Sequence, residues 1–224
     1  MGRLGLLYLS SAFAFVLANA EIVIYADIFA YNNASENKQR GRVRGMEHLD
    51  DITALSGYTA MPVDVVIGGS PCQDLSLAGR RTGLAGARSG LFLEQIRVIK
   101  EMRNATGNQP RYMVWENVIG AFSSNDGEDF RTILTETARV AEGNAVIPRP
   151  PNGKWRKSGC IMGNGWSIAW RVLNAQFWGV PQGRRRIALI ADFGGYSAPE
   201  ILFVRESVCG AAAACRSTRE NPAA

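Results

Sequence analysis

The chain is poor in cysteine, with four in 224 residues, and no two stand in a Cys-x-x-Cys pair. That excludes a disulfide-stapled scaffold and leaves a structural zinc site without support. Low-complexity sequence is scarce as well. Glycine and proline together make 33 residues, about half the share that marks a disordered or repetitive chain. No apolar run is long enough for a comfortable membrane span, so a multi-span membrane protein is out, as are collagen and a coiled coil. What is there is ordinary for a folded domain: 46% hydrophobic and 20% charged residues, in a length that admits one large domain or one domain and part of another. Basic residues outnumber acidic ones by 25 to 20, a net charge of +5. This suits an anionic partner such as nucleic acid without singling one out.

The first twenty residues carry two readings. Arg3 precedes an apolar stretch from Leu4 to Leu17, and Ala18-Asn19-Ala20 has the small-x-small form of a cleavage site, as in a secretory signal. The same residues also suit a buried first strand and helix of an α/β domain.

Beyond them, short β-type runs alternate with amphipathic stretches. Glu21–Ala26, Val63–Ile67 and Tyr112–Trp115 read as buried parallel strands, and Ser167–Leu173 and Arg186–Asp192 as two more. Ser89–Arg103 sets Phe92, Ile96, Ile99 and Met102 on one side at helical spacing. A second helix is expected after Asn125 as cap and Glu128 in the capping-box position, with Phe130, Ile133, Leu134, Ala138 and Ala141 as its apolar stripe. Ala145–Gly165, rich in Pro, Gly, Lys and Arg, reads as a surface loop, and after Phe193 the pattern fades. The alternation implies a mostly parallel sheet with helices on both faces, with ligands at the carboxyl ends of its strands. Asp27, Gly68–Gln73, Glu116-Asn117 and Asp192 are counted at those ends, and chemistry is sought at the first three.

Three segments there can do chemistry. Cys72 sits on a turn after a buried strand, with Pro71 before it and Arg80, Arg81 and Arg88 close in sequence. A thiol beside cations is a nucleophile, although most free cysteines are small apolar fillers. Glu116 ends an apolar strand, where burial would raise its pKa and suit it to donate a proton; a surface glutamate is the plainer alternative. Arg184, Arg185 and Arg186 lead into a further strand, and alternation sends Arg184 and Arg186 to one side.

Together these segments resemble the DNA (cytosine-5) methyltransferase family, in a bacteriophage or prophage form. The matching pieces are Pro71-Cys72-Gln73 with Ser76, Glu116-Asn117-Val118, and Gln182-x-Arg184-x-Arg186, in order and 44 and 68 residues apart. Arg88–Phe92 and its helix match the segment between the first two. The resemblance implies a Rossmann-like S-adenosylmethionine-dependent fold over residues 21–193, a double-stranded DNA substrate, a cytoplasmic monomer, and neither metal nor membrane. It implies attack by Cys72 on carbon 6 of a flipped-out cytosine, with Glu116 at ring nitrogen 3 and Arg184 and Arg186 completing the catalytic set. Asp27, Asp51, Ile52, Pro71 and Leu91 fall at cofactor positions; Gln73, Ser76, Arg97 and Gln182 fall on the DNA side.

The chain departs from the family at both ends. Ser11, Phe13 and Ala14 stand where the family has the glycines that let the backbone pass close to the cofactor. Residues 1–20 are therefore expected to be a degenerate first strand and helix. Residues 194–224 are expected to be the disordered start of a missing target-recognition region, leaving an incomplete fold. The competing function is an inactive remnant that binds DNA weakly.

Overall fold

The computed structural model describes residues 5–9, 22–26, 47–49, 51–69, 91–174 and 183–203. Eight strands form one sheet: β1 (Gly5–Leu9), β2 (Ile22–Ala26), β3 (Glu47–Leu49), β4 (Val65–Gly68), β5 (Tyr112–Val118), β6 (Ser158–Met162), β7 (Ser167–Asn174) and β8 (Arg185–Asp192). Their order is β3-β2-β1-β4-β5-β8-β7-β6. The first five run parallel, as expected for the β-branched β2 and β4 and the apolar β5; β3, Glu-His-Leu, was not anticipated. β1 lies between β2 and β4, so the apolar start of the chain supplies a central strand. β8 then enters antiparallel to both β5 and β7, and β6 antiparallel to β7.

That reversal corrects one placement. Asp192 ends β8, but because β8 runs backwards it pairs with Tyr112, the first residue of β5. It therefore lies at the amino ends of the parallel strands, away from Gly68 and Glu116-Asn117.

Helix α1 (Leu91–Thr106) buries Phe92, Ile96, Ile99 and Met102, the expected face. It stops at Gly107, whose φ of +86° suits glycine and whose N–H closes on the Arg103 carbonyl. Helix α2 (Glu128–Ala138) buries Phe130, Ile133, Leu134 and Ala138. Its start differs from the capping box expected at Asn125. Asn125 and Asp126 are left-handed, with φ of 49° and 53°, and Gly127 takes the cap position with no side-chain cap bond. Here the Ser124 hydroxyl donates to Asp129 in the first turn. The helix ends before Ala141, which is exposed.

Two further elements stand where irregular chain is expected. β6 lies inside the Ala145–Gly165 stretch, joined to β7 by a tight turn in which Gly163 N–H bonds the Trp166 carbonyl and Gly165 has φ +78°. After Phe193, helix α3 (Ala198–Leu202) buries Ala198 and Leu202 beside Ala169. Periodicity missed both because one strand and one helical turn of five residues each are too short to establish a period. α1 and α2 cover the sheet face bearing Met113, Trp115, Ile187 and Leu189. The partly buried Ala188 and Ile190, on alternate positions of β8, pack with α3.

Asp192 organises the far end of the sheet. Its buried carboxylate accepts Arg111 Nε at 2.9 Å, the Ser197 hydroxyl at 2.6 Å and the N–H groups of Gly194 and Ser197. Burial alone would raise its pKa, but these donors together lower it to about 2. A lowered carboxyl pKa stabilises the fold above the ordinary value near 4 and loses that contribution as pH falls toward 2, here about 2 kcal/mol. Asp192→Ala should remove it and strand the donors, lowering the melting temperature at pH 7 by roughly 6–12 °C. The gap between variant and wild type should shrink below pH 3. A gap unchanged by pH in thermal melts would disprove the role.

Candidate active site

The site is built where β5 and β8 run side by side in opposite directions. β5 alternates, with Met113, Trp115 and Asn117 buried on the helix-covered face, so Glu116 projects to the other. Glu116 stands opposite Ala188 and Val118 opposite Arg186, which makes Glu116 and Arg186 diagonal neighbours on one face. A long side chain spans that diagonal. Arg186 Nε lies 2.9 Å from Glu116 Oε1, and the two side chains are 22% and 17% exposed.

Two opposing effects act on this carboxyl group. Desolvation raises its pKa, while the charges of Arg186 and Arg184 lower it, and desolvation wins. Glu116 therefore holds its proton at a higher pH than an exposed glutamate does. Arg184, two residues before Arg186, brings its charge to the same carboxylate, as strand alternation predicts. Its Nε is buried and, among the described residues, has no hydrogen-bond partner. A buried donor in this condition is costly unless an acceptor completes it. The acid, the ion-paired cation and the free donor suit a flat, polar ring with acceptor atoms.

Cys72, Pro71, Gln73, Ser76, Gln182 and Asp27 lie outside the described residues. β4 ends at Gly68, which pairs with Trp115, the residue before Glu116.

The remaining candidates sit around α1. Leu91 opens the helix and packs partly buried against the core. Ile52 is 1% exposed. Asp51 is exposed and accepts Thr53 N–H at 2.9 Å, the turn geometry of an aspartate. Arg97, expected on the DNA side, is engaged within the protein. Its Nε and Nη1 bind Glu94 and Glu101 at 2.7 and 2.9 Å, and Nη2 donates to the Ile52 carbonyl at 2.9 Å. Acids three residues before it and four after it claim the guanidinium first. Its contacts brace α1 against the Asp51–Thr53 turn.

Sequence reasoning missed Gln95. This residue is 2% exposed, its carboxamide fills the space where a Cβ on Gly68 would stand, and its Nε2 has no hydrogen-bond partner among the described residues. The signal was available, because position 95 is three residues after Phe92 and four before Ile99, on the buried stripe. Among the described residues no cluster of acids, histidines and cysteines could hold a metal, and no helix is long and apolar enough to cross a membrane.

Five parallel strands followed by a reversed β8, with an acid and two arginines at the carboxyl edge, define a methyltransferase-type α/β sheet. The same fold occurs in the Entamoeba histolytica methyltransferase EhMeth, with a TM-score of 0.54 at 12% identity, over 88% of this chain and 55% of that one. The chain belongs to the C-5 cytosine-specific DNA methylase family, whose sequence model matches residues 12–140. It is 34% identical to the Type II methyltransferase M.AquIA of Picosynechococcus over 59% of this chain and 44% of that protein. It is also 34% identical to a protein of Escherichia phage P1 described as a DNA N-6-adenine-methyltransferase, over 65% of this chain and 22% of that protein. The chain thus spans less than half the length of these curated relatives.

Proposed function

We propose that this chain transfers a methyl group from S-adenosylmethionine to carbon 5 of cytosine in double-stranded DNA, through a covalent bond to Cys72. The observation that carries the reading is the partly buried Glu116, ion-paired with Arg186 and under the charge of Arg184.

The family resemblance assigns the cofactor to Asp27, Asp51, Ile52, Pro71 and Leu91; of these, Asp51 presents an exposed carboxylate for its polar groups and Leu91 an apolar side chain. Bound there, it supplies an electrophilic methyl group. The base must leave the stack to reach the site. The Cys72 thiolate then forms a bond to carbon 6, and the electron pair of the 5,6 double bond becomes available at carbon 5. Glu116 gives its proton to ring nitrogen 3, which absorbs the charge that would otherwise build on the ring. Arg186 holds the exocyclic oxygen, and the Nε of Arg184, without a partner among the described residues, is a second donor to the same polar edge. After methylation, solvent water takes the carbon-5 proton, the freed electron pair restores the 5,6 double bond as the thiolate leaves, and nitrogen 3 returns its proton to Glu116.

The phage P1 relative's description raises adenine N6 as the target. The match covers only 22% of that protein, so its description extends to much that this chain lacks. Incubating the full chain with tritiated S-adenosylmethionine and duplex DNA, followed by nucleoside analysis, separates the readings. Label in 5-methylcytosine is expected. Label in N6-methyladenine, or none, overturns the proposal and in the latter case leaves an inactive remnant.

A further inference from the structure

The segment between α2 and β7 holds nearly all of the chain's excess positive charge. Gly143–Gly165 contains Arg149, Lys154, Arg156 and Lys157 and no carboxylate, against a net +5 for the whole chain. Arg149 is committed to Glu128 and to the Asp126 carbonyl. The other three are exposed, and none of their side chains makes an ion pair or hydrogen bond among the described residues. Uncompensated cations this close repel one another, and an anion relieves that repulsion.

Their backbone is held in place. Trp155 packs edge-to-face on Phe130 at 5.3 Å and donates to the Gly127 carbonyl at 2.8 Å. Trp170 donates to the Arg156 carbonyl at 3.0 Å, and the Asn152 side chain accepts Lys154 N–H at 3.1 Å. The buried faces of the tryptophans fix the segment and leave the cations outward.

Register then places them relative to the site. The Lys157 carbonyl accepts Val172 N–H at 2.8 Å, Val172 pairs with Ile187, and Ile187 pairs with Asn117. Lys157 is therefore level with the neighbour of Glu116, three strand spacings away, or about 14 Å. That offset is close to the major-groove width of about 12 Å. A duplex presenting a base to Glu116 brings the phosphates across one groove to Lys154–Lys157.

We propose that Lys154, Arg156 and Lys157 form a second DNA contact, binding backbone phosphates across the groove from the extruded base. This rests on the DNA-methyltransferase reading above and adds a surface that none of the motif residues supplies. Phosphate contacts fix orientation without reading sequence.

The test is cofactor-free binding of the full chain to a labelled mixed-sequence 24-base-pair duplex, titrated over a range of salt. Replacing all three residues by alanine should weaken binding at least tenfold. It should also flatten the plot of log affinity against log salt by between about 2 and 3, near 0.9 per lost phosphate contact. Charge-conserving K154R/K157R should restore the wild-type slope, and circular dichroism checks that the alanine variant is folded. Equal slopes for variant and wild type would overturn the proposal, as would a wild type without salt-dependent affinity. Because binding is read without turnover, a chain that binds DNA but transfers no methyl group refutes the catalytic reading and leaves this contact standing.

Discussion

Cys72→Ser should stop methyl transfer to DNA, with a residual rate on the order of 10⁴-fold or more below wild type. Carbon 5 of cytosine is a poor nucleophile until another group adds at carbon 6, so losing the adding group removes the pathway. A serine hydroxyl has the right shape, but it ionises far less readily than a thiol and no base is assigned to activate it. Single-turnover tritium transfer to duplex DNA measures the effect. A serine variant within tenfold of wild type would end the covalent mechanism.

Glu116→Gln should cost between about 10² and 10⁴ in the same assay, the usual contribution of a positioned proton donor. An amide can hydrogen-bond nitrogen 3 but cannot give up a proton, so some activity survives. The pH dependence separates this role from a structural one. Burial raises the carboxyl pKa against the pull of both arginines, and the proposed mechanism uses the protonated form. Wild-type transfer should therefore fall as pH rises through that value, and the variant should lack this limb. The linkage has the opposite sign to that of Asp192. A raised carboxyl pKa favours the fold at low pH, and the benefit fades as pH rises, so neutral glutamine need not weaken the structure. A variant that keeps the falling limb would show that another group titrates.

Much of this was legible in the sequence, for identifiable reasons. Glu116 and Trp115 were readable because β5 is a clean alternation at a strand end, and the stripe of α1 because sixteen residues give the period room to declare itself. Arg184 and Arg186 were assigned to one side correctly, yet the direction of β8 was not legible. No local propensity encodes whether a strand joins its neighbour parallel or antiparallel. That is decided by the connection and by which edge is free. Asp192 was misplaced for the same reason. Arg97 shows a different limit: its motif position says where a family member uses an arginine, while Glu94 and Glu101 decide what this guanidinium touches. The α2 start was misread because Gly127 and two left-handed residues provide a turn that a capping-box pattern does not anticipate.

The reversed strand β8 has a mechanical consequence. Arg186 near one tip and Asp192 at the other belong to a single rod clamped by ladders on both sides. The clasp at the tail therefore anchors the same strand that carries the guanidinium at the head. The Glu116–Arg186 pair is thus aligned by sheet register rather than by the conformation of a loop.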